Sequence, residues 1–300
     1  MSFVDHLEEF ADRPVVPVPL PSELWPVPEG PHAWRVEAPY EGDFSWAEMF
    51  ARLLGHVDPA GIEALVVGDW GVSEGVESGD VVAALVEAAD RLTGLRALFL
   101  GDLIYEECEL AWIEHDDIGA LLTAYPRLEE LVVRGSGVTF APTRHEHLRS
   151  FTVEACDLRA TLIEALGAGS YPALEVLDLW IGAAYLPAST EALFDGTSVP
   201  ALRHLGLLNC AAADTVAAQL STAPLVAQLR SLDLSMGTLG DEGAEALLLG
   251  QPLTHLKLRA NHHFVSEELV ERLTAATDVC NFADRQKESH SGGRYIEVSE

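Results

Sequence analysis

The sequence predicts an α/β solenoid in which short parallel strands line a concave face and helices pack outside. Two observations carry this. An apolar spacing, L-x-x-L-x-L, recurs along most of the 300 residues, and helical patterns fill the gaps between its copies. The copies run Ile62/Leu65/Val67, Leu95/Leu98/Leu100, Leu128/Leu131/Val133, Leu148/Phe151/Val153, Leu174/Leu177/Leu179, Leu202/Leu205/Leu207, Leu229/Leu232/Leu234 and Leu253/Leu256/Leu258. Their starts lie 20 to 33 residues apart, enough for one strand and one helix per coil.

Each element has a local cause. The second and third apolar residues of a copy alternate, so both point to one face of a short strand. Between copies, segments 81–86, 117–122, 162–166, 216–220, 244–248 and 269–273 carry apolar residues at helical spacing. Asp80, Asp116, Asp214, Asp241 and Ser266 stand where N-caps are expected. The ninth position of a copy holds Cys156, Cys210 and Asn261, residues that bridge neighbouring turns of chain. No coil buries its apolar face alone, so stacking supplies the core.

The ends read as caps on one continuous domain. Residues 1–61 form a Pro-rich segment and a capping helix, 62–276 the repeats, and 277–300 a C-terminal cap and tail. Residues 14–39 hold eight of the 16 prolines, with Trp25, Trp34, Val36 and Tyr40 as docking material. Ser45-Trp46-Ala47-Glu48 is a capping box, followed by Trp46, Met49, Phe50, Leu53 and Leu54 at helical spacing. Residues 284–294 read as a polar loop, and Tyr295–Val298 alternates as a last strand would.

Charge restricts function. There are 48 acidic side chains against 18 basic ones, a net of −30, and lysine occurs only at 257 and 287. Residues 1–120 hold 25 acids against 5 bases. Such a chain repels phosphate backbones and anionic lipid, which argues against nucleic-acid and membrane partners. The start lacks the basic and apolar regions of a secretory signal, and no run approaches the roughly 20 apolar residues of a membrane span. These features predict a cytoplasmic protein whose four cysteines, lacking zinc spacing, are free thiols.

The repeats resemble the ribonuclease-inhibitor type of leucine-rich repeat, whose coils alternate a strand with a full helix. The match covers residues 62–276. The fold this implies is a horseshoe of about eight repeats, capped at both ends. More narrowly, residues 64–70, 98–102 with 106–113, and 232–243 resemble an uncharacterised family of bacterial cytoplasmic leucine-rich repeat proteins. Proteins of that family are often encoded beside radical-SAM and ATP-grasp type enzymes, so the resemblance implies an accessory role.

Motifs for chemistry are absent: no phosphate loop, dinucleotide fingerprint, zinc-protease helix or nucleophile elbow occurs. No catalytic residue, cofactor, metal or small-molecule substrate is therefore expected. Gly68-Asp69 and Gly101-Asp102 share a repeat position, where glycine permits a turn and the aspartate bonds loop backbone. His145/His147 and His262/His263 lack a third ligand and read as loop histidines. Residues 102–117 hold seven carboxylates and no Lys or Arg, anchored by Leu110, Trp112 and Ile113. A solvated loop is the plain reading. A divalent cation on Glu107 and Glu109, serving a metal-dependent or accessory factor to a neighbouring enzyme, is the alternative.

Strand residues between the repeat leucines face the concave side. They nominate Phe99, Val132, Arg134, Glu154, Asp178, Trp180, His204, Asp233, His255, Lys257 and Arg259 as a partner-binding surface. Phe99, Val132 and Trp180 read as exposed anchors of the kind enriched at interfaces. The function this predicts is a non-catalytic scaffold binding another protein, with a basic partner surface expected against the acidic first coils.

Overall fold

In a computed structural model, residues 5–39, 44–183, 190–290 and 292–299 are described; Met1–Val4 and Tyr40 lie outside them. The chain divides into two compact units, Met1–Thr139 and Phe140–Glu300. Both have the α/β leucine-rich-repeat fold.

The first unit runs β1 (Glu9–Phe10), β2 (Arg13–Pro17), β3 (Ala33–Val36), α1 (Trp46–His56), β4 (Ala64–Val67), α2 (Ser78–Glu87), β5 (Ala97–Leu100), α3 (Gly119–Ala124) and β6 (Glu130–Arg134). Its strands lie side by side in chain order. β1 and β2 form an antiparallel hairpin; the pairs from β2 to β6 are parallel. The hairpin turns on Ala11 and Asp12, both with positive φ (52° and 56°), the geometry that a two-residue loop requires.

The Pro-rich segment thus supplies two strands of its own, β2 and β3. Trp34 and Val36 are buried, and Trp25 packs edge-on to Trp34. α1 starts with the expected box: Glu48 N–H donates to Ser45 Oγ at 3.3 Å, and Ser45 N–H donates to Glu48 Oε2 at 2.8 Å. Its apolar face, Trp46, Met49, Phe50, Leu53 and Leu54, is buried as the spacing predicts.

The second unit runs β7 (Ser150–Glu154), α4 (Ala160–Ala168), β8 (Val176–Gly182), α5 (Glu191–Phe194), β9 (His204–Cys210), α6 (Ala213–Leu220), β10 (Ser231–Asp233), α7 (Asp241–Leu249), β11 (Lys257–His263), α8 (Glu267–Ala276) and β12 (Val279–Arg285). Its strands also follow chain order, and the register places repeat leucines against one another: Leu177↔Leu205, Leu205↔Leu232, Leu232↔Leu258. β12 adds an edge strand beyond the last repeat, on a stretch expected to be partly loop.

The caps differ from expectation. Asp80 lies in the first turn of α2 behind Glu77, and Asp117 rather than Asp116 meets Gly119 N–H, at 2.7 Å. Asp214 and Asp241 sit inside the first turns of α6 and α7 and serve the next coil instead. Asp214 Oδ1 accepts from Gly240 N–H (2.7 Å) and Gly243 N–H (3.1 Å), and Asp241 Oδ1 accepts from Ser266 N–H (2.6 Å). Each carboxylate therefore satisfies the orphan amides of its neighbour's helix start. Ser266 occupies the N-cap of α8 without a side-chain bond.

Tyr295–Val298 forms no strand. It crosses the C-terminal ends of β9 and β11 and the loop after β10 as a strap. Asn209 Nδ2 donates to Val298 O (2.6 Å) and Val298 N–H to Asn209 Oδ1 (3.0 Å). Glu297 N–H donates to Met236 O (2.9 Å), and His262 Nε2 to Tyr295 O (3.1 Å).

Candidate functional site

The sheet face opposite the helices is not alike in the two units. In the second unit the strands alternate. Thr152, Asp178, His204, Ser231, Lys257 and Arg259 are half-buried or exposed, while the leucines between them are buried. In the first unit β4 and β5 are buried on both sides. The cause is residues 7–15. Phe10 packs with Ala33, Ala64, Val66, Ala97, Phe99 and Val132, flanked by Leu7, Ala11 and Val15. Its ring meets Phe99 edge-on at 5.7 Å. Alanines at 33, 64 and 97 stand in register on adjacent strands and leave room for it.

This corrects the expected anchors. Phe99 (4% exposed) and Val132 (9%) are covered by the chain's own N-terminal segment. Arg134 is buried too: its guanidinium lies 5.1 Å from the Phe99 ring, Nη1 donates to Leu103 O at 3.2 Å, and Asp102 Oδ1 is 3.6 Å away. Glu154, Trp180 and Asp233 are likewise buried. His255 is exposed but turned to the preceding coil, where Nε2 donates to Val226 O at 3.1 Å.

Four of the nominated residues remain on the open face of the second unit: Asp178, His204, Lys257 and Arg259. His204 Nε2 lies 2.8 Å from Asp178 Oδ1, and its Nδ1 lies 2.6 Å from Ser231 Oγ. Gly206 makes the first contact possible, since a Cβ there would fall 2.0 Å from Asp178 Oδ1. Burial disfavours the His204 cation, but the Asp178 hydrogen bond and charge outweigh it and hold its pKa above the ordinary value. Next along the face, Arg259 Nε is 3.6 Å from Asp233 Oδ2, whose Oδ1 accepts from Ser235 N–H at 2.9 Å. Sequence reasoning missed Ser231; its signal was the third repeat position it shares with His204.

An Asp–His–Ser chain can pass a proton, and acyl transfer also needs amide donors beside the serine. Here Ser231 N–H donates to Arg203 O (3.1 Å) and His204 N–H to Glu175 O (3.0 Å). Both amides are spent on the sheet. The chain of hydrogen bonds fixes the face; it does not assemble an oxyanion site on those amides.

In the acidic loop Leu110 and Ile113 are buried anchors as expected, but Trp112 is exposed and is not one; Ile118, just beyond the loop, is buried instead. Asp69 bonds loop amides of Gly71 and Val72 as expected. Asp102 does not act like Asp69. It is fully buried, with Arg35 Nε 3.0 Å from Oδ2 and Leu7 N–H donating to both oxygens. Beside it, His6, Glu37 and Glu107 bring ligand-type atoms within 4.8 Å of one another. Arg35 already fills this cluster. Its Nη2 donates to His6 Nδ1 (2.8 Å) and pairs with Glu37 (2.6 Å), leaving His6 Nε2 to donate to Glu107 (3.2 Å). A guanidinium in that position repels a cation. Burial nonetheless raises the Glu37 pKa, against the pull of Arg35. Glu109 faces Tyr105 and Trp112 instead.

The other candidates are structural. His145 Nδ1 accepts from Leu148 N–H (3.0 Å), and His263 Nδ1 from Val265 N–H (3.1 Å). Cys156 and Cys210 are buried cysteines outside any disulfide, and burial pushes the Cys210 pKa up to about 11, far from a reactive thiolate. No described helix is long and apolar enough to cross a membrane.

No family model matches the chain, and no curated protein matches it. Among solved structures, it is similar to a protein of Bacteroides fragilis at 24% identity and TM-score 0.73, covering 84% of this chain and 73% of that one. This likeness concerns the fold. The TLR13–ssRNA13 complex aligns at 16% identity and TM-score 0.46, over 86% of this chain and 33% of that one.

Proposed function

We propose that the chain is a non-catalytic protein-interaction scaffold of the ribonuclease-inhibitor repeat type, acting in the cytoplasm as its sequence resemblance suggests. Its partner binds the open sheet face of the second unit. One observation carries this reading: Asp178, His204, Lys257 and Arg259 share a single solvated face on strands β8, β9 and β11, with charges of both signs fixed in register. Strands spaced about 4.8 Å apart make this a broad, shallow surface, suited to a protein rather than to a small molecule. The partner presents a base opposite Asp178 and an acid opposite Lys257 and Arg259, which orients it as well as attracts it.

The test compares proteins retained by the immobilised full chain with those retained by an Asp178→Ala/Lys257→Ala/Arg259→Ala variant. Glu245→Ala, exposed on α7, serves as control. Loss of one or more partners from the triple variant alone supports the reading. Equal retention by all three proteins removes it.

A further inference from the structure

We propose that a cleft in the first unit, between residues 70–78 and 112–116, receives an arginine or lysine side chain of a basic partner protein. The cleft has a volume of about 510 Å³ and is lined by Glu77, Glu114 and Asp116, with no Lys or Arg among its lining residues. It sits within residues 1–120, which carry 25 acids against 5 bases. Charge complementarity therefore selects a cation.

Its aromatic side is built to meet one. Trp112 is 71% exposed, yet its indole N–H donates to Glu109 Oε2 at 3.3 Å, so the ring is held while its surface stays open. A flat indole beside carboxylates suits guanidinium or ammonium, which it attracts through its ring electrons. Trp70 lines the same cleft and is fixed by an Nε1–H bond to Val76 O at 3.2 Å. His115, also in the lining, adds no positive charge. Burial holds its pKa below the ordinary value, and with Nε2–H donated to Arg134 O at 2.9 Å, its buried Nδ1 is an acceptor that makes no hydrogen bond.

The inference goes beyond the open-face reading and does not rest on it. Its test uses the full chain and a short fluorescein-labelled peptide with several arginines in a Gly/Ser background, followed by anisotropy at physiological salt. Trp112→Ala, and separately Glu114→Gln/Asp116→Gln, are expected to weaken binding by about tenfold. Glu268→Gln/Glu271→Gln, exposed on α8, matches the second variant in charge and should change it by less than about twofold. Melting temperatures confirm that each variant folds. Equal weakening by both charge pairs, or no effect of Trp112→Ala, would overturn the proposal. So would displacement of the peptide by spermidine at equal charge concentration, which would assign the cleft to a free polyamine.

Discussion

His204 Nε2 lies 2.8 Å from Asp178 Oδ1 across adjacent parallel strands, and the pair is about three-quarters buried. The contact raises the pKa of His204 above its unfolded value, despite burial acting the other way. The sign follows: the folded state holds a proton that the unfolded state releases, so this stability is fully present below about pH 6.5 and is lost as pH rises through the higher folded pKa. Asp178→Asn should cost about 1 kcal/mol at low pH and less at alkaline pH. Chemical denaturation of both proteins across that range checks it. A constant difference would mean that His204 does not titrate against Asp178.

His263 should behave oppositely. Burial, helped by Arg285, lowers its pKa to about 4, and Nδ1 accepts a hydrogen bond from Val265 N–H that protonation abolishes. Between pH 6.5 and about 4 the unfolded state binds the proton and the native state does not. Stability is therefore lost as pH falls through that window. In His263→Asn the acid-side loss should shrink, and an NMR titration of the wild-type ring should show no protonation at pH 6.

Asp214 joins two coils and the strap. Its Oδ1 takes two amides at the start of α7, and Oδ2 pairs with Arg294 at 2.5 Å. Asp214→Ala should cost about 2–3 kcal/mol, since it leaves two helix-start amides without their acceptor. Hydrogen exchange should rise at Glu297 and Val298 as the strap loosens. Asp214→Asn keeps one acceptor oxygen and should lose less.

What could be read ahead of the structure was local. Ser45 and Glu48 are three residues apart, so their mutual bonds depend on one helical turn and nothing else. The repeat leucines likewise announce themselves, because each coil repeats the same burial. Asp69 and Asp102 share a repeat position, and only the first closes its own loop. Asp102 is set by Arg35 and Leu7, which arrive from far along the chain, and spacing carries no record of that. The same reason hid the cover over Phe99. Alanines at 33, 64 and 97 line up only once β3 is paired with β4, and even then a ladder of small residues does not say which segment fills it.

Phe10 is that filling, and it makes the sharpest stability prediction. Its ring sits on Phe99 above three alanines, a surface that would otherwise be open apolar sheet. Phe10→Ala should cost about 3 kcal/mol, the usual penalty for emptying a buried aromatic site. The loss should be local first. Residues 5–17 should gain hydrogen exchange well before β4 and β5 do, because those strands keep their leucine side packed. Phe99→Ala should produce the same exchange pattern, and the double variant should cost less than the sum, since both changes remove one contact. Additive costs would show that Phe10 and Phe99 are held by separate neighbours and that the segment is not seated by their ring contact.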